Sequence, residues 1–223
     1  MLFRSLHYLI HSDDHPEHAK LALAAANDYA KVASYAGHAL HMPSHIYLAL
    51  GMWDEVVRSN EVSWQAGVDR KEKKGLDNDA LNYHGHLWLE YGYLQQGRDE
   101  RAGQLLQDQF NFARELSSRG SRFHLLAMLG HYRVAMNDWT ARNDIVIDTK
   151  DLSFFIRSTG MLMDGMAAFK QKDLQALDKV IRTSDEELAA ANKMKLEAGG
   201  EQFVEAQRML QGPHPRWISR RQL

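Results

Sequence analysis

Apolar and polar positions along this chain follow the helical period almost throughout. Aromatic and aliphatic stretches recur at Tyr47-Leu-Ala-Leu50, Leu87-Trp-Leu-Glu-Tyr-Gly-Tyr-Leu94, His131-Tyr-Arg-Val-Ala135 and Met163-Asp-Gly-Met-Ala-Ala-Phe169. Between them alanine, leucine, glutamine and methionine dominate, all good helix formers. Clear alternation with period two is missing. The most strand-like stretch, Asp144-Ile-Val-Ile-Asp148, is too short to build a sheet. Each apolar stretch runs into a short turn and then a charged helix start. These turns fall at Asp13-Asp14-His15-Pro16-Glu17, Gly51-Met52-Trp53-Asp54-Glu55, Gly97-Arg98-Asp99-Glu100-Arg101-Ala102, Asn137-Asp138-Trp139-Thr140-Ala141 and Lys172-Asp173-Leu174-Gln175-Ala176. Pro16 suits the first turn of a helix, where its missing N–H has no cost. Lys71-Glu-Lys-Lys-Gly75 reads as a solvated extension of one helix and its end.

The pattern predicts an all-α chain with the helix–turn–helix grammar of an α-solenoid. It resembles the tetratricopeptide repeat family, most closely at Gly97-Arg-Asp-Glu-Arg-Ala102 and the Leu-Glu-Tyr-Gly-Tyr-Leu before it. The turns are unevenly spaced, mostly wider than the family's repeat of about 34 residues. The resemblance therefore implies a tetratricopeptide-like array of antiparallel helix pairs, about four to five repeats, over residues 1–196. Residues 197–223 are expected to form a terminal helix and an irregular tail.

Histidines carry the candidate chemistry. His7 and His11 are four apart in His-Tyr-Leu-Ile-His, and His38, His41 and His45 follow in His-Ala-Leu-His-Met-Pro-Ser-His. At about 100° per residue the last three fall within an arc of roughly 60°. Placed on the tetratricopeptide pattern, all five lie on successive first helices of the pairs, on positions lining the concave groove. Imidazole is the commonest metal ligand in proteins, so these five are the expected metal ligands. Pro43 either kinks the second of these helices or starts it, leaving His38 and His41 on the incoming turn. Asp14, one turn beyond His11, is the candidate catalytic residue, as ligand or as general base for a water on the metal; Asp13 and Glu17 are rivals, and any of the three can serve as a helix cap. His-Tyr-Leu-Ile-His is not a zincin motif, because Tyr8 stands where the catalytic Glu would be.

His7-Tyr-x-Ile-His11 and Ala36-Gly-His-x-x-His-Met-Pro-Ser-His-Ile46 together look like a bacterial branch of tetratricopeptide proteins carrying both motifs. That resemblance implies the fold and the pairing of the motifs, and no particular reaction. In the same register His84, Trp88 and Tyr91 face the groove as candidate substrate-binding residues, while His86 diverges from His84. His124 and His131, seven apart, extend the same face.

Composition narrows the chemistry. The chain of 223 residues has no cysteine, so a metal site must use His, Asp, Glu, Tyr or water. Zinc is the first expectation, with Mn, Fe, Co or Ni as other divalent ions suited to imidazole. The net charge of −2 gives no strong attraction to nucleic acid or membrane. No apolar run reaches the roughly 18 residues of a membrane helix, and the expected location is cytoplasmic. The leading functional expectation is a metal-dependent hydrolase of ester or phosphoester bonds, taking a small-molecule or peptide ligand in the concave groove. The alternatives are a non-catalytic peptide- or protein-binding module and a metal store or sensor. The ends lack obvious polar caps, which suggests a piece of a longer array or a homodimer that covers them.

Overall fold

The computed structural model describes residues 2–32 and 36–198. From residue 199 on, the expected tail lies outside the described residues. Every regular element among the described residues is helical. The chain divides into two units, Met1–Asp151 and Leu152–Leu223. The first contains α1 (Leu2–Ser12), α2 (Ala19–Val32), α3 (Gly37–His41), α4 (Pro43–Ala49), α5 (Trp53–Lys74), a 3-10 turn (Asn78–Ala80), α6 (Tyr83–Gln95), α7 (Asp99–Glu115) and α8 (Arg119–Met136). The second contains α9 (Phe154–Gln171) and α10 (Leu174–Ala198), which pack on each other. No helix among the described residues is long and apolar enough to cross a membrane.

The turns sit where the sequence punctuates the helices. Gly51 (φ 70°), Gly97 (φ 68°), Asn137 (φ 49°) and Lys172 (φ 59°) all adopt left-handed backbone at helix ends. Glycine and asparagine tolerate this conformation, which reverses the chain and satisfies the last carbonyls. The lysine-rich run closes α5 in the same way: Gly75 is left-handed, and the Leu76 N–H donates to the Lys71 carbonyl at 3.0 Å. Pro16 differs from its sequence reading. It lies in a turn, and α2 begins at Ala19, whose N–H, like that of His18, bonds the His15 carbonyl.

Consecutive helices pack in order through the first unit; α2 with α4, α3 with α5 and α6 with α8 also touch as next-but-one neighbours, and α1 reaches α4 and α3 reaches α6. Small residues set the close approaches. Ala19, Ala22 and Ala26 of α2 meet Ile10 of α1 and Met42 and Ile46 around α4 in one buried cluster. This packing leaves the neighbouring positions His7 and His11 on the side facing α3 and α4. Pro43 starts a new helix, as the first residue of α4, at a bend where Met42 keeps helical angles (φ −49°, ψ −40°), so His38 and His41 lie on the short α3 before it. Carbonyls around the bend are met from the side, Leu40 by Ser59 Oγ at 2.6 Å and His41 by Ser44 Oγ at 2.7 Å. Ser63 Oγ donates to the Gly37 carbonyl at 2.7 Å and accepts from Asn82 Nδ2 at 2.7 Å.

Asn82 also caps α6 through the Gly85 N–H. A β-carbon on Gly85 would stand 2.8 Å from Asn82 Nδ2 and 3.2 Å from Ser63 Oγ. Gly85→Ala should therefore push Asn82 off its cap and lower stability by about 1–3 kcal/mol. Gly103→Ala, whose β-carbon meets only the Tyr132 ring at 3.4 Å or more, should be neutral or stabilise by up to about 1 kcal/mol through helix propensity. Urea midpoints of the two variants will show whether the signs differ.

Candidate metal centre

α1 contributes His7 and His11, the following turn Asp14, α3 His38 and His41, α4 His45, and α6 His84 and Trp88. Their rings form a continuous series. His7 lies 4.7 Å from His11 and 5.4 Å from His38, centre to centre, and His11 lies 5.4 Å from His45. His41 lies 5.0 Å from His45 and 4.6 Å from His84. Two sets of donors are compact enough to hold a metal ion, their ligand atoms all within 4.8 Å of one another: His41, His45 and His84, and His11, Asp14 and His45. His84, which the sequence placed among substrate-binding positions, thus stands in a donor set. His7 and His38 flank the sets, with the Tyr29 hydroxyl 3.3 Å from His7 Nδ1.

The proton positions at the centre follow from their partners. Asn60 Nδ2 donates to the Val56 carbonyl at 2.8 Å, which fixes the amide and turns its Oδ1 towards His41. His41 Nδ1 therefore donates to Asn60 Oδ1 at 2.7 Å. Asp14 Oδ2, an acceptor, lies 2.7 Å from His45 Nδ1, which donates to it. A ring with one proton then carries it on Nδ1 and has its lone pair on Nε2. The two Nε2 atoms are 3.2 Å apart. Two bare lone pairs at that distance would repel, so the contact needs either a proton on one nitrogen, which makes it a hydrogen bond, or a cation between the two. Nitrogens bound to one tetrahedral zinc at about 2.0–2.1 Å stand roughly 3.3 Å apart, so the spacing fits a shared metal ion.

The surroundings favour the neutral form of His41, His84, His11 and His38. His41 is fully buried, and burial pushes it down to about 3, although its Asn60 hydrogen bond opposes this. Burial, aided by the other histidines, lowers His84 to about 4 and also lowers His11 and His38. Crowded, desolvated imidazoles cannot all carry protons, and a neutral imidazole is the form that ligates. Trp88 closes one side, its ring centre 4.4 Å from His45 and 5.1 Å from His41. An apolar wall of this kind excludes water and strengthens electrostatic interactions within the site. Asn60 and Asp14 hold the His41 and His45 rings by their Nδ1 atoms, an arrangement that also supports histidines bound to metal.

The remaining positions separate. Tyr91 neighbours Trp53 and His131, at 6.0 and 5.2 Å. His124 continues the histidine series from His84 at 6.3 Å, its Nδ1 donating to the Gly120 carbonyl at 2.8 Å. His86, two residues from His84, points the other way. It stacks on Trp64 at 4.1 Å and donates to Gln109, whose amide is fixed on the Ser121 carbonyl, so it serves packing. Asn60 escaped the sequence reading; its one signal is an asparagine inside a long helix, where that residue is disfavoured. The donor sets are consistent with a divalent ion, and their chemistry does not select which one. Compared with known proteins, the chain matches no family model, no curated protein and no solved structure.

Proposed function

We propose that this protein is a metal-dependent hydrolase of ester or phosphoester bonds, with a divalent ion, zinc first among the candidates, on His41, His45 and His84. The contact between His41 Nε2 and His45 Nε2 at 3.2 Å, each ring held by its other nitrogen, carries the reading. A bound ion would lower the pKa of a coordinated water towards neutrality and polarise the scissile group. Three protein ligands leave a position for that water, as in catalytic rather than structural zinc sites. Asp14 fixes the orientation of His45 through Nδ1 and so acts through that ring. Trp88, against two of the ligands, gives a substrate an apolar surface beside the ion. The scaffold we read as a tetratricopeptide-like α-solenoid of four to five helix pairs; the contacts between alternate helices support it.

Protein purified without a histidine tag should carry or take up close to one equivalent of zinc or cobalt. It should hydrolyse p-nitrophenyl acetate or bis(p-nitrophenyl) phosphate, and chelation should remove that activity. A protein that binds metal tightly but turns over neither compound would leave a metal store or a metal-stiffened peptide-binding module. One that binds no metal would end the enzymatic reading.

A further inference from the structure

One ion leaves donors over. His41, His45 and His84 use the Nε2 side of His45, while His11 and Asp14 gather with it into a second compact set. Asp14 Oδ2 is already at His45 Nδ1, 2.7 Å away. The second set is built from residues able to adjust: Asp14 lies on the turn after α1, its side chain 30% exposed, and His11 is in the last turn of α1. Opening the nitrogen–oxygen pair by about half an ångström would admit an ion bound to both, given metal–ligand distances of about 2.0–2.2 Å. His7, beside His11, is a further imidazole on that side.

Resting on the proposed metal site, we infer that the protein holds a second divalent ion on His11 and Asp14, with His45 as an imidazolate bridging the two ions. The first ion makes this step easier, because a cation on Nε2 acidifies the Nδ1 proton of the same ring. The bond broken is His45 Nδ1–H, its proton passes to buffer, and the freed lone pair forms the new Nδ1–metal bond. The two ions then stand roughly 6 Å apart, one imidazole width plus two metal–nitrogen bonds of about 2.0–2.1 Å. Asp14 thereby has two states: it orients His45 when one ion is present and ligates when two are. The imidazolate and the Asp14 carboxylate offset only half the charge of two divalent ions, which leaves an electropositive centre.

Calorimetric titration of the metal-free full chain with zinc tests this. Wild type should show two sites, with about one more proton released on filling the second than its other ligands explain, read from heats in buffers of different protonation enthalpy. Asp14→Asn and His11→Ala should each keep the first site and lose the second, with at least a tenfold weakening. Copper loading supplies an independent readout: two Cu(II) ions across an imidazolate couple, so the doubly loaded protein should lose most of its EPR intensity, and Asp14→Asn should not. Saturation at one equivalent in wild type, unaltered by His11→Ala, would overturn the second ion and leave the single-ion site standing. No binding at all would remove both. Two equivalents with uncoupled copper spectra would overturn the bridge.

Discussion

Replacing His41 by alanine should lower zinc affinity by more than the ~10–100-fold that outer support of a metal ligand is worth, and should also destabilise the fold by about 2–4 kcal/mol. Both effects follow from its position. Its Nε2 is the innermost donor of the set, and the whole side chain is buried at the Pro43 bend. Truncation leaves a cavity and strips Asn60 Oδ1 of the donor it faces at 2.7 Å. His84→Ala separates the two losses. His84 keeps an edge open to solvent on α6 while its ring faces the other histidines, so its removal should weaken zinc binding while the urea midpoint falls much less than for His41→Ala. Asn60→Leu should fall between, at about 10–100-fold in affinity, because it frees the His41 ring to turn. Zinc competition against a chromophoric chelator, alongside urea unfolding of the metal-free variants, measures both quantities. If His84→Ala bound zinc as wild type does, the three-histidine set would not be the metal site. If His41→Ala lost stability alone, the ring would be a packing element.

The helices were legible because each is bounded by residues whose backbone preference is local. Gly51, Gly97 and Asn137 mark left-handed ends in the chain itself, and Lys172 was located by the aspartate-containing turn after it. The face shared by His38, His41 and His45 was legible for the same reason, since the angle per residue is a property of one helix. What a single helix does not encode is which faces of different helices approach. His84 joins His41 because α6 lies close to α5 and reaches α3, an approach set by Gly85, Gly67 and Gly37 against Asn82 and Ser63. A glycine inside a helical pattern signals in sequence only a break or a weak helix former, not which neighbour comes close to it. At Pro43 the sequence left kink and start equally open; the structure starts α4 there at a bend whose carbonyls accept from the Ser59 and Ser44 hydroxyls, partners that a single helix pattern does not name. Asn60 and Glu90 were invisible for a related reason: one polar residue in a helix looks the same whether it faces water or a buried imidazole.

Glu90→Gln should stabilise the metal-free protein at pH 7 by at least about 1 kcal/mol, with the gain disappearing by pH 4. Glu90 is fully buried on α6, and neither carboxylate oxygen has a hydrogen-bond partner. His131 Nδ1 is 3.5 Å from Oε2, too long for a good hydrogen bond. Burial raises Glu90 well above the ordinary carboxylate range and lowers His131, which favours the neutral form of each in the folded chain. The folded state keeps a proton that the unfolded chain releases above about pH 4.5, and stability falls as pH rises, by up to about 1.4 kcal/mol per unit. The buried histidines have the opposite sign. His41 and His86 are lowered to about 3 and about 4. The unfolded chain therefore takes up protons below about pH 6.5 that the folded chain refuses, and stability falls as pH drops from there, at about 1.4 kcal/mol per unit for each ring. Between pH 4.5 and 6.5 the two histidines outweigh the one carboxyl, and above 6.5 only the carboxyl acts, so these groups place the maximum near pH 6.5. In Glu90→Gln the alkaline decline should flatten while the acid decline remains. Urea midpoints from pH 4 to 9 on both proteins decide it. A Glu90→Gln chain less stable than wild type at pH 7 would mean that the carboxylate is ionised and paired with a protonated His131, making the contact a buried ion pair instead of two neutral groups.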